Sequence, residues 1–220
     1  YKTITLEDHN EIDLISTNKS VYGYLGIGAD LKIDYQWKSC SINTKANIGS
    51  NKGKKLKDNQ KIEVSKIKEL SRRKLDHINS KIENIRVIKG TNFHYFSNES
   101  QAKFFKKEYS VTKLTDRMGM RLEGERLDNI INTNIKSEGL VKGVIQIPAD
   151  GNPIIMLADH GTIGGYPKIA TVISADFDKL SQLTPGSKIK FKEVNLKDAE
   201  TIFKLYEMET NNIISKILWI

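Results

Sequence analysis

Eight of the 15 glycines in this chain fall between Arg117 and Lys168, at Gly119, Gly124, Gly139, Gly143, Gly151, Gly161, Gly164 and Gly165. Glycine disfavours helix interiors and permits tight turns and close backbone approaches that other residues resist. A stretch interrupted this often predicts a chain that reverses repeatedly, and the runs between the glycines have strand length. Met118–Leu122, Val144–Ile147 and Ile154–Leu157 read as strands inside it; Ile85–Ile88 and Tyr109–Leu114 precede them, and Ile169–Ile173 and Lys188–Val194 follow. The expected fold class is mainly β.

A few helices are expected among these strands. Asn98–Tyr109 reads as a short helix in which Asn98 and Gln101 have capping-box spacing. Ala175–Leu183 reads as a second, with Ser174 as N-cap and Phe177, Leu180 and Leu183 on one face, ended by Thr184-Pro185-Gly186. Asp198–Ile217 carries Ala199, Ile202, Phe203, Tyr206, Ile213, Ile214 and Ile217 at helical spacing, which predicts a terminal amphipathic helix covering the core.

The first 64 residues differ. Ile12–Ser16, Val21–Ile27 and Lys61–Val64 read as strands, separated by a polar stretch rich in Asn and Gly, and too few to close a barrel or sandwich. The chain opens at Tyr1 without an initiator Met, so a preceding portion is expected. Lys66–Lys81 is a charged segment in which Ile67, Leu70, Leu75 and Ile78 recur at three to five residues, a linker with helical tendency.

Composition excludes several classes. Among 220 residues, 35 Lys plus Arg oppose 27 Asp plus Glu, a net charge of +8. The excess sits in Lys52–Lys57 and Lys66–Lys74 without interleaved aromatics to stack bases, so it reads as solvated loop and linker charge and no nucleic-acid partner is expected. No apolar run has the roughly 18 residues that span a bilayer, so no membrane association is expected and a cytoplasmic location is. Cys40 is the single cysteine, and His9, His77, His94 and His160 stand far apart, so no metal centre is expected. Gly49–Lys54 lacks the spacing of a phosphate loop, and Leu31 stands where a dinucleotide fingerprint needs its third glycine.

Polar side chains concentrate among the eight glycines: Arg117, Arg121, Ser137, Glu138, Gln146, Asp150, Asp159, Thr162, Tyr166 and Lys168. Asp159 ends an apolar strand and opens the loop His160–Pro167. It either closes an Asx turn or is held for proton transfer or for positioning a substrate amide. Gln146, inside the apolar run VIQIP, either points to solvent by alternation or offers its amide to a ligand.

The run Asp116-Arg117-Met118-Gly119-Met120-Arg121-Leu122-Glu123-Gly124, then Ser137-Glu138-Gly139 leading into Gly143–Pro148, resembles the biotin-dependent carboxyltransferase family. The likeness continues through Asp150–Ile154, Asp159, Gly164–Ile169 and Val172–Asp176. This family includes the allophanate hydrolase subunit 2-like proteins, the C subunits of 5-oxoprolinase and the antagonist of the sporulation kinase inhibitor. The resemblance implies cyclophilin-like β-barrels. Residues 1–65 would be the last part of a first barrel, 66–81 a basic linker, 82–195 a second barrel and 196–220 the terminal helix. Near His94 the family usually carries an acidic residue that Asn92–Phe96 lacks.

The resemblance implies an enzyme component that is active only in complex. It would belong to an ATP-dependent 5-oxoprolinase and open the lactam of 5-oxo-L-proline to L-glutamate, together with A-like and B-like subunits, the latter similar to allophanate hydrolase subunit 1. ATP would bind on another subunit or at a composite site. Asp159, Gln146 and Tyr166 are the expected catalytic residues. Arg117, Arg121, Ser137, Glu138, Asp150, Thr162, Gly164, Gly165 and Lys168 are the expected substrate-binding ones. Two alternatives stand beside it. One is the carboxyltransferase component of a biotin-dependent urea or amide carboxylase, with biotin on a partner because no Met-Lys-Met occurs here; the other is a non-catalytic regulatory module on a B-like subunit.

Overall fold

The computed structural model describes residues 2–17, 20–68, 71–75, 82, 84–131 and 134–219. In the segment Asn84–Lys89 (NIRVIK, β1) apolar side chains alternate: Ile85 and Val87 are fully buried while the residues between them face outward. The same alternation runs through Tyr109–Val111 (β2), Gly119–Glu123 (β3) and Lys188–Glu193 (β7), whereas Val144–Gln146 (β4), Ile154–Met156 (β5) and Lys168–Val172 (β6) have successive buried residues. They close a barrel in the order β4-β5-β3-β2-β7-β1-β6. A closed ring must contain an even number of antiparallel neighbours, so seven strands force an odd number of parallel ones. Here β1 and β7 are the parallel pair, with Phe191 opposite Ile85.

Among the described residues three α-helices complete the barrel: α1 (Asn98–Lys106), α2 (Ser174–Ser181) and α3 (Leu196–Ser215). Helix α1 contributes Phe104, whose ring stacks on Phe191 of β7 with centroids 4.4 Å apart and planes 14° from parallel. Tyr109 leans on the same ring at 5.6 Å. These aromatics and the aliphatic residues of the strands form one continuous core. On the outer face Ile88 and Val194 meet Ile173, Ala175, Ala199, Ile202 and Tyr206, so α2 and the first half of α3 cover the wall of the barrel. Helix α2 is fixed through Asp176, which is 1% exposed and accepts from the Arg86 backbone N–H at 2.7 Å and from its guanidinium. That hydrogen bond raises the Arg86 pKa further above its ordinary value. Tyr206 on α3 donates to Asp178 on α2, which pushes the tyrosine pKa up.

The caps differ from those expected. Ser97, not Asn98, caps α1, its Oγ accepting from Ser100 N at 3.1 Å, while Gln101 turns back to the carbonyls of Phe93 and Phe96. Ser174 lies inside α2, which begins after Ile173 without a side-chain cap. Asn195 caps α3 by accepting from Asp198 N at 2.8 Å. Among the described residues no helix is long and apolar enough to cross a membrane.

The chain divides into two compact units: Tyr1–Asn10, Tyr24–Asp76 and Ile217–Ile220 form one, and Glu11–Gly23 with His77–Lys216 form the barrel unit. The first holds two-residue ladders, Asp30–Leu31 with Val64–Ser65, Ile42–Asn43 with Ile48–Gly49, and Arg73–Lys74 with Leu218–Trp219. None of its described hydrophobic side chains is buried. Ile12–Ser16 and Val21–Ile27 are not strands. The N–H groups of Val21 and Tyr22 donate to the side chain of Gln182 instead of to a neighbouring strand. The expected helical tendency of Lys66–Lys81 is absent from its described residues, where Arg73–Lys74 is extended; Leu70 and Ile78 fall outside them.

Tyr109 is fully buried, and its hydroxyl finds no hydrogen-bond partner among the described residues. Burial, with the nearby charge of Glu125, holds its pKa well above the ordinary 10.0. The neutral form is therefore favoured by folding, and stability present below pH 10 is lost as the pH rises beyond it, where an unfolded tyrosine ionises. Tyr109→Phe removes an unsatisfied buried polar group. We expect it to raise unfolding stability by about 1 kcal/mol at neutral pH and to flatten the alkaline decline, both measurable by urea unfolding between pH 7 and 11.

Candidate functional site

Arg117 and Asp159 meet because each lies just past the paired end of its strand. Met156 of β5 is opposite Gly119 of β3, and the ladder continues as Leu157 N to Met118 O at 3.0 Å and Asp159 N to Arg117 O at 2.8 Å. The turn before β3 is set by Asp116, whose Oδ1 accepts from the N–H groups of Met118 and Gly119 at 2.7 and 3.2 Å. An Asx turn thus forms at Asp116 and not at Asp159. The carboxylate of Asp159 instead takes both arms of the Arg117 guanidinium, Nε to Oδ2 at 2.7 Å and Nη2 to Oδ1 at 2.9 Å. Asp159 is the more buried partner, its side chain 18% exposed against 55% for Arg117. A bidentate fork fixes the plane of the carboxylate and leaves about two of its four lone-pair directions for another donor.

A second polar group lies under a flap. Glu138–Gly139 pairs with Ile163–Gly164 in a two-residue ladder, extended by Leu140 N to Thr162 O at 2.9 Å and Ile135 N to Gly165 O at 2.9 Å. This ladder lies over the outer face of β4 and β5, where Leu140 packs with Val144, Ile154 and Met156. Gln146 faces the flap from β4, is 4% exposed, and donates from Nε2 to the Tyr166 carbonyl at 3.0 Å. Gly164 lets the flap approach closely: a Cβ at that position would stand 2.8 Å from both Gln146 Nε2 and Leu140 Cδ1, so those two side-chain ends would have to shift.

A bulge brings Lys168 to the same face. Ile145 is opposite Ala170 but Gln146 is opposite Lys168, so Ile169 is an extra residue in β6. Ile169 and Ala170 both point into the core, fully buried. Strict alternation would have turned Lys168 inward; the bulge re-aims it toward the flap. Its side chain is 12% exposed and pairs with Glu138, which is 41% exposed. The Lys168 backbone is held on both sides by the buried Asn92, whose Oδ1 accepts from Lys168 N at 3.0 Å and whose N donates to Lys168 O at 3.2 Å. Asn92 carries no pattern that would have singled it out in the sequence.

The residues singled out in the sequence therefore separate into groups. Glu138, Gln146, Gly164, Gly165, Tyr166 and Lys168 gather at the flap, with Ser137 exposed beside it and Thr162 contributing backbone. Arg117 and Asp159 sit past the Met156 end of β5, whereas Gln146 pairs with Ile154 at its other end. Strand rise of about 3.3 Å per residue gives the span between them. Arg121 is exposed on β3 opposite Ile154, and Asp150 lies in the turn Pro148–Gly151, its Oδ1 accepting from Asn152 N at 3.0 Å. A surface hollow of about 540 Å³ between Asn84, Glu108, Lys188 and Lys190 holds none of these residues.

The fold is similar to part of the Kluyveromyces lactis urea carboxylase structure, which matches with a TM-score of 0.71 over 87% of this chain and 20% of that one, at 21% identity. The chain belongs to the carboxyltransferase domain family, subdomains A and B, whose profile matches residues 1–193. Helix α3 lies beyond the matched stretch. The C subunit of 5-oxoprolinase from Escherichia coli is 33% identical over 178 residues, covering 80% of this chain and 57% of the relative. Its counterpart from Haemophilus influenzae is 32% identical over 202 residues, covering 88% and 62%. The chain thus spans about three fifths of the length of these two relatives.

Gly164→Ala makes the side-chain ends of Gln146 and Leu140 shift beneath the flap without touching the barrel interior. We expect a local cost of about 1–3 kcal/mol, read as exchange of the Leu140 amide accelerated about 5- to 150-fold, with core amides of β1 and β7 unchanged.

Proposed function

We propose that the chain is the C-like subunit of an ATP-dependent 5-oxoprolinase, hydrolysing 5-oxo-L-proline to L-glutamate together with A-like and B-like partners. The supporting observation is its 32–33% identity, over 80–88% of its length, with two proteins named as that subunit. Opening an unstrained lactam requires a group that orients or deprotonates the attacking water and donors for the oxyanion that develops on the amide oxygen. Asp159, its plane fixed by Arg117, is assigned the orienting and proton-accepting role. Gln146 and Tyr166 are assigned as donors near the flap, and the cations Arg117, Arg121 and Lys168 as partners of the substrate carboxylate or a phosphate.

None of the three helix N-termini among the described residues is open to a phosphate. Ser97 and Asn195 close the N-termini of α1 and α3, and α2 holds the Asp176 carboxylate in its first turn, where it would repel phosphate. ATP is accordingly assigned to a partner subunit or a surface completed by one. The carboxyltransferase reading, with biotin on a partner chain, draws on the family to which the chain belongs and comes second.

The test is glutamate formation from 5-oxo-L-proline and ATP by the full-length protein co-purified with its A-like and B-like subunits. Omitting this chain should abolish the product. Asp159→Asn should lower turnover about 10²- to 10⁴-fold while the complex still assembles. Full activity in that variant would remove Asp159 from the mechanism, and biotin-dependent carboxylation of urea in place of glutamate formation would favour the second reading.

A further inference from the structure

Three cations stand among the candidate residues, and the geometry treats them differently. The Arg117 fork is directed at Asp159, with both Nε and Nη2 engaged. Arg121 is exposed on the outer face of β3. Lys168 alone is nearly buried, its side chain 12% exposed, on the strand position directly opposite the buried Gln146. Its charge partner is Glu138, carried on a strand of two residues and 41% exposed.

A nearly buried ammonium group needs an anion beside it in every populated state, because an unpaired charge removed from water is strongly penalised. Glu138 supplies that anion from a weak support, a two-residue ladder whose partner strand is tethered by Gln146 Nε2 to the Tyr166 carbonyl. A carboxylate arriving from solution offers Lys168 the same charge and the same hydrogen-bond geometry. The exchange conserves the pairing at Lys168 and releases Glu138 to water, where it already lies in part. The backbone of Lys168 need not move, since Asn92 grips it from both sides.

We propose that Lys168 is the carboxylate anchor of the site and that Glu138 is a resident counter-ion which the ligand's carboxylate displaces. The ligand class is a small monocarboxylate whose neighbouring amide can reach Gln146. Its identification as 5-oxo-L-proline rests on the oxoprolinase reading, whereas the carboxylate selectivity does not.

The experiment is calorimetric binding of 5-oxo-L-proline and of its uncharged carboxamide to the full-length protein in its complex without ATP, alongside glutamate formation with ATP. The wild type should prefer the acid, and Lys168→Met should weaken the acid about 30-fold or more while leaving the carboxamide unchanged. Glu138→Gln removes the competitor, so the acid should bind about two- to fivefold tighter, a gain that misfolding cannot produce. Equal binding of acid and carboxamide by the wild type, or unweakened acid binding by Lys168→Met, or weaker binding by Glu138→Gln, each overturns the proposal even if glutamate is formed. Acid selectivity that depends on Lys168, without glutamate formation, upholds the anchor and overturns the oxoprolinase reading.

Discussion

A ring of seven strands cannot alternate direction all the way round, and the rest of the molecule is arranged about the place where alternation fails. That place is the seam between β1 and β7, the first and last strands of the barrel, which pair in parallel although the whole barrel sequence lies between them. Two helices clamp it from opposite sides. Phe104 of α1 stacks on Phe191 inside the barrel, while Asp176 of α2 binds the Arg86 backbone and guanidinium outside it. The second clamp is electrostatic and Asp176 in it is buried, so losing Arg86 would strand that carboxylate away from water. The seam's own ladder is therefore backed by packing on one face and by charge on the other.

Closure of the ring leaves β4, β5 and β6 with outer faces that need cover, and the flap supplies it. What distinguishes this cover from the helices over Ile88 is its polarity: an amide, an ion pair and a pair of glycines stand beside the apolar contact of Leu140 with Val144, Ile154 and Met156. Polar groups under a two-residue ladder can exchange partners far more readily than those of a packed core. The Asp159–Arg117 pair, by contrast, is built on the continuation of the β3–β5 ladder and inherits its rigidity.

The barrel is legible in the sequence because alternation reports which side of a sheet each residue takes. All seven strands lie within a few residues of the runs that predict them, NIRVIK and KIKFKE being the clearest cases. Alternation does not report what lies on each side. Gln146 does face away from the lumen, as the pattern VIQIP implies, yet it is buried because the flap covers it. The flap strands, two residues each, are too short to have a period. The bulge at Ile169 reads as a plain apolar run. In the first 64 residues the apolar runs Ile12–Ser16 and Val21–Ile27 suggest strands, but a strand needs a neighbour, and there the hydrogen bonds go to a glutamine side chain or to two-residue ladders.

Trp37 and Trp219, the two tryptophans of the chain, both belong to the smaller unit, and the barrel unit contains neither. Intrinsic tryptophan emission therefore reports on one unit alone, while the backbone circular dichroism of strands and helices is weighted toward the other. The protein carries its own two-colour readout of cooperativity: coincidence of the two signals during unfolding would mean that the units melt as one, and any separation between them would measure how far each stands by itself.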